Sequence, residues 1–394
     1  MEGSRENPIK VLLIPSSDYL GHPFPQRHNH IFERLHDNEN FQVHVINFTL
    51  FDRRKLTSRC IIHEVNLEVK TRNVAAYYLV NAPMICEEII RVVKNESIDV
   101  VVASNLLPPL LFEVYRTLFK LRVPVVFDLQ DYYPTSAAGY LGEIGSTKWV
   151  FSKGLFEIIT NELIKRAEVV TVPGYALAGY TRRVGARRVC IVPNGISEIF
   201  LAKCDKVRAR EKLGLNSAER VIGYIGSVEF WLDMEPLIKA IAEARRVGVD
   251  ARLLIVGRDL HTGYSKKVKA WLDKHDVKSY TLWLDFVPHE YIPELAAALD
   301  IGAIPFDVSN PTAYYAAPNK MWEYLSQGAT VASTPIPEAL AYKSLVRIVR
   351  CWRDYFSLIK ETELESLNCS EILKTRLWSA SAAKMGEEIK TLVT

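Results

Sequence analysis

Apolar residues along this chain gather into short runs of strand length, separated by stretches where they recur every three or four positions. The runs predict buried strands and the intervening periodicity predicts helices. In the first half the strands fall over 10–17, 41–48, 98–105, 123–130, 168–173 and 188–193, with helices over about 26–35, 82–96, 108–121 and 147–166. The pattern restarts after Asn194-Gly195, with strands over 220–227, 251–257, 280–287, 301–306, 330–334 and 345–349. Helices over about 234–247, 264–275, 288–298 and 318–328 lie between them, and a last one covers about 370–390. Strands that are apolar throughout and alternate with helices mean parallel sheets covered on both faces. The expected fold is α/β, with two doubly wound domains over 1–195 and 196–369 and a terminal segment over 370–394. Such sheets take ligands at the carboxyl ends of their strands. Two facing domains would therefore enclose a site in the cleft between them.

Length agrees, because 394 residues exceed the roughly 250–300 at which a single core stops growing. A net charge of only +3 does not describe a nucleic-acid binder. One region is biased: between Gly145 and Gly195 eight lysines and arginines stand against three glutamates. There Lys148-Trp149-Val150-Phe151-Ser152-Lys153 mixes aromatics with cations, which suits an anionic membrane surface or equally a solvated helix with core aromatics. Six scattered cysteines without a CxxC pair argue against a zinc site or a disulfide framework and suit a reducing compartment. The polar first residues predict no secretory signal, and no apolar run approaches membrane-spanning length. The expected location is the cytoplasm, with a peripheral place at the inner membrane face if the basic segment touches lipid.

The densest chemistry lies in Pro318-Asn319-Lys320-Met321-Trp322-Glu323-Tyr324-Leu325-Ser326-Gln327-Gly328. Proline suits the first turn of a helix and glycine its left-handed end. Lys320, Glu323, Tyr324 and Gln327 then share one face. Past the strand over 301–306, a lysine beside a carboxylate suits a phosphate next to a vicinal diol, although the same pair could be a surface ion pair. Gly226-Ser227 ends one strand, where unhindered backbone could meet a phosphate. Arg258 ends the next and suits phosphate oxygens. Phe286 and Val287 end a third, where backbone groups could read a planar base. In the first half Gly21 follows the first strand, and Asp128 and Asp131 lie at the end of the strand over 123–130. Those carboxylates could face a reacting hydroxyl or make structural caps and ion pairs. Nicotinamide, P-loop, zinc-protease and serine-hydrolase fingerprints are all missing, and no metal or cofactor is expected.

Taken together, Val192-Pro193-Asn194-Gly195-Ile196, Ile222-Gly223-Tyr224-Ile225-Gly226-Ser227, Leu254-Ile255-Val256-Gly257 and the Pro318–Leu325 element resemble the GT-B glycosyltransferases, and most closely the retaining enzymes of glycosyltransferase family 4. The resemblance implies two Rossmann-like domains, an N-terminal one for the acceptor and a C-terminal one for a nucleoside-diphosphate sugar, with the terminal helix crossing back to the first. It implies that Glu323 holds the donor ribose, that Lys320 and Gly226-Ser227 meet the diphosphate, and that Gly21 approaches it from the first domain. Three positions depart from the family pattern. Tyr315 stands where the first glutamate of the E-x7-E motif would be, Val228-Glu229 replaces the usual arginine and lysine, and Gln130-Asp131 replaces a histidine. Arg258 and Lys320 would then supply the positive charge, with Asp131 as an assisting carboxylate. The implied activity is retaining transfer of a sugar from a UDP- or GDP-sugar to a glycan, glycolipid or lipid-linked hydroxyl. A GT-B sugar-nucleotide epimerase and a non-catalytic subunit of a glycan-assembly complex are the alternatives.

Overall fold

The computed structural model describes residues 7–22, 24–49, 56–65, 67, 74–139, 141, 145–259, 262–364 and 369–393. It divides into two units, residues 1–195 with 378–394, and residues 196–377.

The first unit holds a seven-stranded sheet: β1 (Ile9–Ile14), β2 (Phe41–Phe48), β3 (Ile61–Val65), β4 (Val100–Ala103), β5 (Val125–Asp128), β6 (Val169–Val172) and β7 (Val189–Ile191), in the order 3-2-1-4-5-6-7. Every neighbouring pair is parallel. β4, β5 and β6 are buried along their whole length, as expected where helices cover both faces. The second unit holds six parallel strands: β8 (Arg220–Ile225), β9 (Ala251–Val256), β10 (Thr281–Leu284), β11 (Ile301–Ile304), β12 (Thr330–Ser333) and β13 (Val346–Ile348), in the order 10-9-8-11-12-13. In each sheet the order reverses once, between β1 and β4 and between β8 and β11. That reversal is the crevice where doubly wound sheets bind ligands.

Several elements differ from the sequence pattern. β3 was not expected, because Ile61-Ile62-His63-Glu64-Val65 is a half-exposed edge strand without clean alternation. The helix expected over 82–96 runs Val74–Asn95 with Pro83 tolerated inside it. Helix Tyr133–Gly139 stands where a loop is expected, and helix Lys206–Lys212 lies in a stretch to which the pattern assigns no element. The first has a proline in its opening turn, which needs no N–H there. In the second, Asp205 caps the N–H groups of Val207 and Arg208. The terminal segment expected to begin at 370 is also divided. Ser370–Lys374 is a separate short helix of the second unit, and the helix of the first unit is Trp378–Val393. The break is fixed at Arg376 and Leu377, which pair with Ile196: the Ile196 N–H donates to the Arg376 carbonyl at 2.7 Å, and Leu377 forms a parallel bridge.

Candidate functional site

At the carboxyl edge of the second sheet three strand ends are joined backbone to backbone. The Gly226 N–H donates to Val256 O at 2.9 Å, Gly257 N–H to Leu284 O at 2.9 Å, and Val228 N–H to Arg258 O at 3.0 Å. Two glycines make this possible. Gly226 has φ 145° and Gly257 φ 133°, and a Cβ on Gly257 would lie 2.1 Å from the Gly226 carbonyl oxygen. No larger residue fits that approach.

The β8–β11 ladder covers only Ile222↔Ile301 and Gly223↔Gly302. Beyond it the Ile225 N–H has no strand partner and donates instead to the Tyr324 hydroxyl at 2.8 Å. Tyr324 is wholly buried and belongs to the helix Lys320–Ser326. One phenol thus fills the floor of the crevice and fixes that helix to the sheet. Tyr224 adds a second tie, its hydroxyl donating to Ser227 O at 2.7 Å. The helix ends at Gly328, whose φ of 85° is the left-handed value expected of it. Gln327 holds the chain ahead of the helix Lys206–Lys212, with its Nε2 donating to Phe200 O and Ala202 O and its Oε1 accepting from Cys204 N–H. Tyr324 and Tyr224 are the residues that pattern reading missed as site builders. Both lie in quoted motifs, but nothing in a linear pattern says that a phenol will replace a ladder hydrogen bond.

This scaffold positions Lys320 and Glu323 one helical turn apart, both half-buried. A Cβ on Gly226 would sit 3.0 Å from Lys320 Nζ, so the ammonium lies directly over the glycine turn. It also sits 5.0 Å from the ring centre of Tyr224 and 5.3 Å from that of Phe306. Burial holds Lys320 below the ordinary lysine range and raises Glu323 above the ordinary carboxylate range, each partly opposed by the other's charge. Among the described residues neither side chain has a hydrogen-bond or ion-pair partner. A half-buried cation left in that state is costly, and an anionic ligand would relieve it.

The other expected contacts are placed less simply. Arg258 is 60% exposed at the rim, 4.0 Å from Asp285 Oδ1 and 5.9 Å from the centre of the Phe286 ring. The Phe286 N–H, expected to read a base, donates to Asp285 Oδ1 at 2.7 Å, and Val287 packs against the core. What is left for a planar ligand is the Phe286 ring, which is 50% exposed. Tyr315 is half-buried and stands edge-on to Tyr314, with ring centres 5.1 Å apart.

In the first unit the structure separates the two aspartates. Asp128 is fully buried and saturated, accepting from Arg27 Nε and Nη2 at 3.1 Å each, from Thr171 Oγ1 at 2.7 Å and from Gln130 Nε2 at 3.3 Å. It is structural and has no capacity left for a substrate. Asp131 is half-buried, and burial pushes its carboxyl up to about 6. Gly21 also departs from its expected role. Its N–H donates to the buried Asp18 carboxylate at 2.7 Å, and a Cβ there would strike Asp18 Oδ2. An N–H engaged by a carboxylate is not held open for a phosphate.

The sequence profile of Glycosyltransferase Family 4 matches residues 27–198, and that of Glycosyl transferases group 1 matches residues 205–312. The chain belongs to the GT-B glycosyltransferases. Part of this glycosyltransferase is 28% identical over 121 residues to a D-inositol 3-phosphate glycosyltransferase of Segniliparus rotundus, a match spanning 30% of this chain and 27% of that relative. Its fold is that of sucrose-phosphate synthase from Thermosynechococcus elongatus, with a TM-score of 0.72 at 14% identity over 98% of this chain and 99% of the other. HepE from Anabaena, solved with UDP and glucose, superposes with a TM-score of 0.69 at 16% identity over 97% and 99%.

The half-buried Asp131 carries a prediction of its own. Its carboxyl titrates near 6 in the folded glycosyltransferase and near about 4 in an unfolded chain. The folded state therefore binds more protons across that window, and stability falls as pH rises through it. Asp131→Asn is expected to stabilise the protein at neutral pH by about 1–2 kcal/mol, with the gain vanishing below about pH 4. Unfolding midpoints of both proteins at acid and neutral pH check this, and a gain independent of pH would rule it out.

Proposed function

We propose that this glycosyltransferase binds a nucleoside-diphosphate sugar in the β8–β11 crevice and transfers the sugar, with retention, to a glycan, glycolipid or lipid-linked hydroxyl. The observation that carries this reading is the Lys320 ammonium lying over the Gly226 turn with no hydrogen bond or ion pair among the described residues. A diphosphate seated there meets the ammonium beside the Gly226-Ser227 turn, whose Gly226 N–H is already given to Val256 O, with Arg258 able to swing in from the rim. Glu323, one turn on, accepts from the ribose diol, and Phe286 offers a face to the base. UDP bound to HepE, which shares the fold, supports a uridine nucleotide.

In the reaction the bond between the anomeric carbon and the diphosphate oxygen breaks. Negative charge grows on the leaving diphosphate, where Lys320 and Arg258 stabilise it. The acceptor hydroxyl attacks from the face being vacated and passes its proton to a diphosphate oxygen, so no metal and no dedicated base are needed in this reading.

Calorimetric titration with UDP, GDP and ADP tests the pocket. One nucleotide is expected to bind selectively, and Glu323→Ala to weaken it by about 10–100-fold through loss of hydrogen bonds to a charged group. If none of the three binds, the pocket reading fails, and the non-catalytic subunit becomes the better account of Tyr315.

A further inference from the structure

The helices Val74–Asn95, Leu107–Leu118 and Thr147–Arg166 connect strands taken in one direction across the first sheet, β3 to β4, β4 to β5 and β5 to β6. Right-handed crossovers place all three on the same face of that sheet, side by side, each running from its carboxyl edge to its amino edge. An outer helix ordinarily turns charge to solvent. These three also turn apolar side chains outward. On Thr147–Arg166, whose inner face buries Phe156, Ile159, Leu163 and Ile164, Val150, Phe151, Leu155 and Ile158 are 57, 75, 44 and 64% exposed, at spacings that put them on a second, outer stripe. On the middle helix Leu111, Val114 and Leu118 are 39, 44 and 72% exposed, with Phe119 just beyond at 63%. On the first, Val80 and Met84 are 53 and 40% exposed.

Charge is arranged around this plate. Lys148 and Lys153 lie at the carboxyl-edge end of the last helix, Lys153 with its ammonium 5.5 Å from the Trp149 ring. Lys94, Lys120, Arg122 and Lys165 are exposed at the other end. Against them stand Glu87 and Glu157, and Glu162, which is paired with Lys165 and Arg166. The balance is positive. Large apolar side chains exposed on three neighbouring helices mark a candidate interaction site. A second copy meeting the plate by twofold symmetry would set cation against cation, whereas an anionic bilayer would match both the apolar centre and the basic rim. No helix among the described residues is long and apolar enough to cross a membrane, so contact would be at the surface.

We propose that the outer face of these three helices docks on an anionic lipid bilayer, with Phe151, Ile158, Leu118 and Phe119 entering the headgroup–acyl boundary and the flanking lysines meeting lipid phosphates. The site lies in the first unit, and its test does not depend on the nucleotide pocket.

The full chain is sedimented with vesicles of phosphatidylcholine alone, or of equal parts phosphatidylcholine and phosphatidylglycerol, at low and high salt. Binding is expected on the anionic vesicles only and should weaken with salt, as screening requires. Phe151→Ser with Ile158→Ser should weaken it at least ~10-fold through lost apolar insertion. Lys148→Glu with Lys153→Glu should weaken it too. Neither pair should lower the melting temperature, since these side chains are largely solvent-facing in the free protein. Indifference to the Phe151 and Ile158 changes would overturn the proposal. So would a concentration-dependent dimer that Phe151→Ser dissociates, which would assign the plate to a second copy.

Discussion

Lys320→Ala is expected to lower kcat/KM for sugar transfer by about 10²–10³-fold, the usual size of losing one preorganised group that stabilises developing charge. The same substitution should raise the melting temperature slightly. The native ammonium is half-buried with no hydrogen bond or ion pair among the described residues, so its removal relieves a cost that the Glu323 charge and the Tyr224 and Phe306 rings offset only in part. Lost activity together with gained stability separates a ligand-binding role from a structural one. Lys320→Arg should not rescue, because Nζ already lies close over Gly226 and a planar guanidinium needs more room. The pH dependence has a definite sign. Burial holds Lys320 below the ordinary lysine value, so the free protein loses this charge at a pH where a surface lysine keeps it. Affinity for the nucleoside diphosphate should therefore fall through the moderately alkaline range, with proton uptake on binding. Titration in buffers of different ionisation enthalpy measures that uptake. Near-wild-type turnover by Lys320→Ala would remove the basis for the pocket.

Among the described residues the alternation of apolar runs and helical periods was enough to place twelve of the thirteen strands, most readily the central ones, because a strand buried on both faces has few polar positions to disguise it. β3 escaped because an edge strand is solvated on one side and can carry His63 and Glu64. At the site, the pairing of Lys320 with Glu323 was legible because helix periodicity fixes which residues share a face. The roles of Gly21, Asp128 and Phe286 were not. Whether a backbone N–H or a carboxylate is available depends on which neighbour has already engaged it, and those neighbours come from elsewhere in the fold. Arg27, for example, lies 101 positions from the Asp128 it saturates. Tyr324 shows the same limit from the other side, since its part in the crevice follows from where β8 and β11 separate.

Arg27→Met is expected to be the most destabilising single change in the first unit. Its guanidinium and the Asp128 carboxylate are 5 and 0% exposed, and the pair forms the hub of a wider network. Arg27 Nη1 donates to Pro193 O at 3.1 Å and to Asn194 Oδ1 at 3.0 Å, and Ser381 Oγ donates to the same Pro193 carbonyl at 2.8 Å. The ends of β5 and β6, the first helix, the Val-Pro-Asn-Gly element and the terminal helix are thereby held at one point. This gives that element a structural reason within the first unit, separate from any contact with substrate. Removing one partner leaves a carboxylate buried with only Thr171 and Gln130 to solvate it, a loss of about 3–5 kcal/mol. For a domain of this size that is a fall of about 10 °C in the melting of the first unit. Replacing both charges, Arg27→Met with Asp128→Leu, should recover much of the loss, because the buried carboxylate then no longer needs a cation. Guanidinium unfolding of the two single variants and the double variant measures this coupling. Additive losses would mean that the two residues act separately. A strongly positive coupling would mean that the Val-Pro-Asn-Gly turn is held by a buried ion pair whose partners cannot be changed one at a time.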